Sequence, residues 1–300
     1  MFTIKTGLII PTRNRPKELY STLQFFSKKR IKFFKIIIVD SSDGNLKKEI
    51  INICSKFNVK LYFSKPSTSQ QRNIGLQKLI KNKLEFIMFL DDDLKFFNNS
   101  FNIMNSHIEK YKFKYSGFSF NNTNLQKKSL LEKIKLSLFI QKIGLYSPDS
   151  GRVLNNGWQT KIHNLKKNIE SQWLPTACAI FKKDIIIDKY FDKSFGSYSY
   201  LEDLDFSLQI NPERQNIFLV VANAKFSHLK EVIRTSFIFG YYEYFNRYKI
   251  VKKFDLKKIS FFFMAFCRII LTVFSIFNNY QNIFKLFGNV TAIIICILFD

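Results

Sequence analysis

The chain is short of cysteine, histidine and acidic residues, and each shortage narrows its identity. Its four cysteines, Cys54, Cys178, Cys267 and Cys296, lie far apart in apolar surroundings, and no two form a Cys-x-x-Cys pair. That argues against a zinc site and predicts buried, reduced thiols of a cytosolic compartment. Two of the three histidines, His107 and His163, have no chemical context and read as surface residues. Acidic residues number 23 against 47 Lys and Arg, a net charge of +24. So large a surplus calls for an anionic partner: nucleic acid, a phosphorylated substrate or an acidic membrane. No secretory leader is read at the N-terminus, where Met1 to Lys5 run straight into a strand-like stretch. No internal repeat is visible. What the chain does have is apolar residues, 46% of the total with 35 Phe, enough for a substantial core. Its 300 residues allow one large domain, or one domain with an appendage.

Residues 1–95 alternate short apolar runs with helical patterns. Gly7-Leu8-Ile9-Ile10 reads as a strand that ends at Pro11. A helix then opens at Arg15-Pro16 and carries Leu19, Leu23 and Phe26 on its apolar face. A second buried strand covers Lys35–Val39 and ends at Asp40, with a turn at Asp43-Gly44. Helix Leu46–Phe57, strand Val59–Phe63, helix Gln70–Lys81 and strand Leu84–Leu90 follow. Such alternation predicts a parallel sheet with right-handed crossovers. Beyond it, strands are expected within Phe113–Phe120, Trp173–Phe181 and Ile217–Ala222. Helical spacing appears over Leu130–Ile143, Lys183–Tyr190 and Tyr200–Ile210, and Tyr146–Lys167 is polar and turn-rich.

The run Phe86–Leu90 ends in three consecutive carboxylates, Asp91, Asp92 and Asp93. Three anions at a strand end repel one another unless a cation compensates them. Carboxylate oxygens favour hard divalent ions, and the carboxyl edge of an open α/β sheet is where ligands bind. A solvated acidic turn is the alternative for the triplet taken alone. Its neighbours weigh against that. Strand one ends in Pro11-Thr12-Arg13-Asn14-Arg15, strand two in Asp40-Ser41-Ser42-Asp43-Gly44, and Ser69–Gly75 opens a helix carrying Arg72. In a parallel sheet these segments share one edge, where an arginine at a helix start suits a diphosphate.

At this point the chain resembles a family 2 glycosyltransferase with the GT-A fold. The segments LIIPTRNRPKELYSTLQ, IIIVDSSDG, SQQRNIGLQ and FIMFLDDDL stand in that family's order and at its spacing. Further on, QWLPTACAIFKKDII resembles the acceptor-side strand, and FDKSFGSYSYLEDLDFSLQI the segment with the catalytic Glu-Asp pair. Within the family the chain looks closest to enzymes that build bacterial surface polysaccharides, including rhamnosyltransferase-like members. The likeness runs over roughly residues 5 to 250. It implies an α/β fold: a mostly parallel mixed sheet flanked by helices. It also implies a nucleotide-binding half over 1–95 and an acceptor half over 96–240; composition sets apart a C-terminal region of basic and apolar helices over 241–300.

The resemblance implies roles as well. Pro11, Thr12 and Arg13 would line the nucleotide pocket, and Asp40 would contact the base. Arg72 and Asn73 would hold base or diphosphate. Asp91 and Asp93 would form the DxD pair on Mn2+ or Mg2+, with Asp93 the more direct ligand, while Asp92 contacts ribose. The metal and Arg72 would stabilise the leaving nucleoside diphosphate. Inverting transfer needs a base for the acceptor hydroxyl. That role would fall to Asp203, with Glu202 orienting it or binding acceptor. The alternative for both is a plain acidic helix N-terminus. His228 matches a position where some members place a third metal ligand. Trp173 and Thr176 would face the acceptor. The chain departs from the family in carrying Thr176 where a glycine is usual and Gln209 where arginine is common, which bears on the acceptor.

From about residue 225 the composition changes, and residues 241–258 mix Tyr, Arg and Lys. A basic segment with Arg247, Lys249, Lys252, Lys253, Lys257 and Lys258 precedes two apolar stretches, Ile259–Phe277 and Ile283–Phe299. The first would be about 28 Å long as a helix at ~1.5 Å per residue, barely a bilayer span. Arg268 at its middle would cost roughly 2.5–3.5 kcal/mol in lipid. Two readings compete: a tight transmembrane or re-entrant hairpin, and helices lying in the interface. Both predict that 247–299 meets an anionic membrane surface on its cytoplasmic face. Three other functions compete with a glycosyltransferase acting on a lipid-linked or polysaccharide acceptor. A sugar nucleotidyltransferase shares the sheet but needs a Gly-rich first loop, which PTRNRP lacks. A nucleic-acid-binding protein would explain the charge, yet no recognition motif is present, and no nucleic acid is expected as a partner. A non-catalytic relative would not need Asp91, Asp93 and Asp203.

Overall fold

The structure, a computed structural model, describes residues 5–124, 141, 146–196, 198–229 and 234–298. The chain packs as two compact units: Met1–Leu125 with Ile162–Lys230, and Gln126–Lys161 with Glu231–Asp300. The sequence pattern placed the division near residue 240 and left 126–161 with the acceptor half.

The first unit begins with β1 (Thr6–Thr12), α1 (Pro16–Lys28), β2 (Lys35–Asp40) and α2 (Gly44–Lys56). Then come β3 (Lys60–Phe63), α3 (Thr68–Leu79), β4 (Phe86–Leu90), β5 (Leu94–Phe96) and α4 (Ser100–Tyr111). Its later part holds β6 (Gly117–Asn122), β7 (Ile169–Ser171), β8 (Cys178–Lys182), α5 (Lys183–Ile186), α6 (Glu202–Ile210) and β9 (Phe218–His228). The strands form one sheet in the order β3-β2-β1-β4-β8-β6-β9-β5, with β7 also on β9. Strands β1 to β4 run parallel, as the strand–helix alternation predicts. The sheet then turns mixed, because β8 enters antiparallel between β4 and β6.

Every residue of β1 and β4 is buried, since helices cover both faces of the sheet. On one face Leu8 and Ile10 join Leu19, Leu23 and Phe26 of α1. On the other, a Cβ at Gly75 of α3 would collide with the Ile9 side chain, so only glycine allows that approach. Phe89 of β4 meets Phe181, Phe191 and Phe206 edge-on, and Phe191 stacks on Phe206 at 4.1 Å. Such pairs each add about 0.5–1.5 kcal/mol beyond area burial. Helix α3 is different in kind. Ser69, Gln71, Arg72 and Asn73 lie on its buried face, so it shows no apolar stripe. The Ser67 side chain caps it by accepting from Gln70 N.

Several expected boundaries move. Strand β8 starts at Cys178, not Trp173. Residues 173–177 form a buried loop whose backbone is satisfied by side chains: Ser171 Oγ donates to Trp173 O at 2.6 Å, and Leu174 N donates to Ser207 Oγ at 3.0 Å. Strand β6 begins at Gly117, and Phe113 stands 90% exposed. Helix α5 is one turn and does not reach Tyr190. Strand β9 runs past Ala222 to His228, because β5 pairs with its far end through Leu94 and His228. His107 and His163 are half-buried and still reach the surface. His107 Nδ1 lies 2.8 Å from Ile103 O. The helical pattern over Leu130–Ile143 lies outside the described residues, apart from Gln141. Cys54, Cys178 and Cys296 are buried free thiols, and Cys267 is half-buried.

In the second unit the described helices are α7 (Phe237–Lys253), α8 (Lys258–Ile276) and α9 (Asn282–Leu298). Ser236 caps α7 by accepting from Phe239 N. A Cβ at Gly240 would collide with the Lys285 carbonyl, and one at Gly288 with that of Phe237, so α7 and α9 cross almost backbone to backbone. Trp158 stacks on Phe261 at 5.4 Å. The guanidiniums of Arg247 and Arg268 lie 4.7 and 5.4 Å from the Trp158 ring. Arg268 therefore does not point outward from the middle of an apolar helix. It reaches Glu243 of α7 at 3.5 Å, and Lys285 of α9 reaches the same carboxylate at 2.9 Å. Burial alone would raise Glu243, but Lys285 and Arg268 outweigh it and hold the group at about 2.

The outer faces of α8 and α9 are apolar. Ile259, Phe263, Phe266, Ile270, Phe274 and Phe277 recur at helical spacing on α8, and all are exposed, Ile259 by 88% and Phe277 by 87%. The buried side of the same helix carries Thr272, and that of α9 carries Asn289. Helix α8 is long and apolar enough to cross a membrane by length and composition.

Candidate active site

In the first unit the expected residues gather at the carboxyl ends of β1, β2 and β4 and at the first turns of α3 and α6. The triplet after β4 is held from three sides. Thr12 Oγ1 donates to Asp92 Oδ2 at 2.6 Å, and Thr22 Oγ1 donates to the Asp92 carbonyl at 2.9 Å. Arg15 Nη1 donates to both Asp92 Oδ1 at 3.0 Å and Asp93 Oδ2 at 2.9 Å. His228 Nδ1 lies 3.5 Å from Asp93 Oδ1. On the other side Arg72 Nη2 donates to Asp91 Oδ1 at 2.8 Å, and Asp91 N donates to Ala177 O at 2.9 Å. The predicted mutual repulsion is thus met by two arginines and an imidazole.

The three carboxylates are not equivalent. Burial pushes Asp92 up to about 7 against the pull of Thr12 and Arg15. Burial also acts to raise Asp93, but His228 and Arg15 together outweigh it and hold the group below its ordinary range. Asp93 is therefore the better anion of the two.

Arg72 joins the two halves of the site. It is buried, and its Nη1 pairs with Glu202 while Nη2 holds Asp91. Ser69 Oγ donates to Glu202 Oε2 at 2.6 Å. Burial pushes Glu202 up to about 7, with Arg72 and Ser69 opposing it. Asp203 is half-buried, accepts from Leu204 N at 2.8 Å, and is near enough for its charge to act on Arg72. The turn before this pair is strained: Ser199 and Leu201 have φ of 48° and 71°, a left-handed region that costs about 1–3 kcal/mol per side-chain-bearing residue.

Other expected residues sit at one remove. Pro11 is buried inside β1. Asp40 is enclosed and turned back on Ser42, whose Oγ donates to Asp40 Oδ1 at 2.5 Å. Its Oδ2 has no hydrogen-bond partner among the described residues, and burial raises the carboxyl above its usual range. Arg13 is half exposed and faces Asp43 at 3.5 Å, away from the triplet. Asn73 gives both sides of its amide to the backbone of Phe191, at 2.8 Å each, and so fixes the loop before α6. Trp173 and Thr176 are buried in the loop whose Ala177 carbonyl holds Asp91. Gln209 donates to Asp205 at 2.7 Å. Arg15 was missed by the sequence reading, which took it as the start of a helix. The signal was a second arginine two positions after Arg13 in the same strand-end segment.

As metal donors, the residues fit a hard divalent ion in kind: the carboxylates of Asp91 and Asp93 with the imidazole of His228. As they stand, no group of three or more His, Cys, Asp or Glu among the described residues is arranged around one point. The point where Asp92 and Asp93 converge is taken by the Arg15 guanidinium.

The sheet order and the strand-end site define the GT-A fold, which solved structures share. TarS of S. aureus superposes with a TM-score of 0.53 at 14% identity, over 90% of this chain and 43% of TarS. A TarS structure of residues 1–349 in complex with UDP-GlcNAc gives 0.52 at 14% identity, over 85% and 69% of the two chains. GalNAc-T7 with UDP, GalNAc and Mn2+ gives 0.51 at 13% identity, over 76% and 44%. The chain thus spans less than half the length of that TarS chain. No curated protein matches the sequence. Residues 8–188, more than half of the chain, match the family described as Glycosyl transferase family 2, and the chain belongs to that family.

Proposed function

We propose that the protein is an inverting, divalent-metal-dependent glycosyltransferase. It moves a sugar from a nucleoside-diphosphate donor of UDP or dTDP type to a hydroxyl of a lipid-linked or polysaccharide acceptor in bacterial surface-glycan synthesis. The observation that carries the reading is the Asp91–Arg72–Glu202 chain of contacts. It couples a strand-end carboxylate triplet to an acidic helix start at one sheet edge.

The roles follow from chemistry. Asp203 accepts the proton of the acceptor hydroxyl as its oxygen attacks the anomeric carbon. The new C–O bond forms on the face opposite the breaking bond, and the nucleoside diphosphate leaves. Glu202, held by Arg72 and Ser69, fixes the turn that carries Asp203 and acts as a positioning residue. Arg72 also lends positive charge to the leaving group. Asp91, Asp93 and His228 would hold Mn2+ or Mg2+, which when bound neutralises the diphosphate. GalNAc-T7, a neighbour in fold, has been solved with Mn2+.

The second unit supports membrane association at the cytoplasmic face. The outer faces of its helices α8 and α9 are apolar, unlike those of a water-exposed bundle, and a basic segment with Lys252, Lys253, Lys257 and Lys258 flanks them. A panel of nucleotide sugars, assayed with Mn2+ by thermal shift and then by transfer, tests the reading. One donor should raise the melting temperature only with metal and yield an inverted product. Asp93→Ala should abolish transfer and weaken donor binding. Asp203→Asn should abolish transfer and leave donor binding near wild type. Full transfer by either variant would sink the assignment.

A further inference from the structure

Helices α7, α8 and α9 line a half-open cavity of about 230 Å3. Its polar lining is Glu243, Arg268, Thr272, Ser275, Asn282 and Lys285. We infer that this cavity binds the phosphate group of an anionic membrane lipid, seated on Arg268 and Lys285. The inference rests on the membrane association proposed above and adds a defined ligand site to it.

Charge is the first argument. Arg268 and Lys285 share a single carboxylate, that of Glu243. Of these three groups, which are the charged lining among the described residues, one positive charge is left over. The nearby Arg247 is a further cation whose charge acts on Glu243, and its Nη1 donates to Gly157 O at 2.8 Å and to Gln159 Oε1 at 2.7 Å. A low-dielectric site with a surplus cation gains from a compact anion. The donors are the second argument. A guanidinium has five N–H groups and an ammonium three. The Glu243 contact, at 3.5 Å, is the one side-chain hydrogen bond that Arg268 makes among the described residues. The Arg268 and Lys285 side chains keep 22% and 19% exposure, so both reach solvent from within the cavity. Size is the third argument. The cavity is smaller than the roughly 300–1,000 Å3 typical of drug-sized ligands, which suits a headgroup and not a whole nucleotide sugar.

The source is a lipid and not a soluble phosphate because of the surroundings. Phe274 lies next to Ser275 of the lining and Phe284 two positions after Asn282, and both are exposed. A ligand that fills the cavity while its acyl chains cover those rings satisfies both surfaces at once. Arg268 then has a reason to stand in the middle of an apolar helix.

Vesicle flotation of the full chain tests this. Three vesicle types serve: phosphatidylcholine alone, phosphatidylcholine with phosphatidic acid, and phosphatidylcholine given the same surface charge by a fatty-acid carboxylate. The wild type should bind the phosphatidic acid vesicles about tenfold more tightly than the carboxylate vesicles. Arg268→Gln and Lys285→Gln should each erase that difference while still binding both. Arg268→Lys, which keeps the charge and folds more safely, should retain part of it. Glu243→Gln should widen it, because the competing carboxylate is gone. A merely structural cluster would lose binding in all four variants alike. Glycerol phosphate at millimolar concentration should not release the protein.

Equal binding of the wild type to both charged vesicles overturns the phosphate site and leaves membrane association standing. Persistence of the preference in Arg268→Gln and Lys285→Gln also overturns it. So does release by glycerol phosphate, which would make the ligand a soluble phosphate ester. No binding to any vesicle would instead overturn the membrane reading itself.

Discussion

The two units each bury a group of charges, and the two groups have opposite surpluses. At the sheet edge, Asp91, Asp92, Asp93 and Glu202 are held by two arginines and a half-exposed histidine. Among the helices, one carboxylate, Glu243, is held by a lysine and an arginine. Among the described residues, the first group has more anion than its partner side chains neutralise, and the second has more cation. Burial lifts Asp92 and Glu202 at the first, while neighbouring cations depress Glu243 at the second. Buried charge of either sign is costly unless it is paired. A surplus kept in a folded protein is therefore a statement about what it binds.

The hardest way to break the comparison is to remove the cation that joins both halves of the sheet-edge site. Arg72→Met leaves Glu202 and Asp91 without their shared partner. Transfer should fall by about 10²–10³-fold, and urea unfolding should register a loss of about 3–5 kcal/mol. Arg268→Met should cost much less, about 1–3 kcal/mol by the same measurement, since Glu243 keeps Lys285. Equal losses would mean that the second group carries no surplus.

The pH response should differ in sign between the two. Asp92 titrates near 7 in the fold against an ordinary 3.8, so its contribution is full below about 3.8 and is lost as pH rises through about 7. Glu243 titrates near 2 against 4.5, so its contribution is full above about 4.5 and is lost as pH falls through about 2. Melting curves from pH 2 to 8 should therefore show the alkaline loss flattened by Asp92→Asn and the acid loss flattened by Glu243→Gln. A smaller effect should come from Gly288→Ala, whose Cβ has no room against Phe237; about 1–3 kcal/mol of destabilisation is expected in urea. The smallest is Arg13→Ala. Its partner Asp43 is solvent-exposed, and melting should place the change within about 0.5 kcal/mol.

Much of this was legible in the sequence, for identifiable reasons. Runs such as Leu8–Ile10 and Phe86–Leu90 are apolar because both sheet faces are covered, and they read as strands directly. The triplet and Glu202-Asp203 stood out because carboxylates seldom cluster without purpose. Loop 173–177 did not stand out. It is as apolar as a strand, and only its hydrogen bonds to Ser171 and Ser207 distinguish it. Arg15 was hidden by Arg13, the nearer arginine in sequence, which the fold turns toward Asp43 instead. Asn73 matched a ligand-binding pattern, yet its amide ties down Phe191. Glu243 was overlooked in a segment read for its positive charge, although it is the one acid between Tyr241 and Phe254.

Leu201 holds a backbone angle that glycine would adopt freely, directly before the two acids of α6. Laboratory selection for heat resistance has an easy step at that position, and so does selection for turnover, in opposite directions. A lineage screened on melting temperature would drift toward a relaxed turn and a slower catalyst. The residue offers a one-position gauge of which pressure an engineered library has felt.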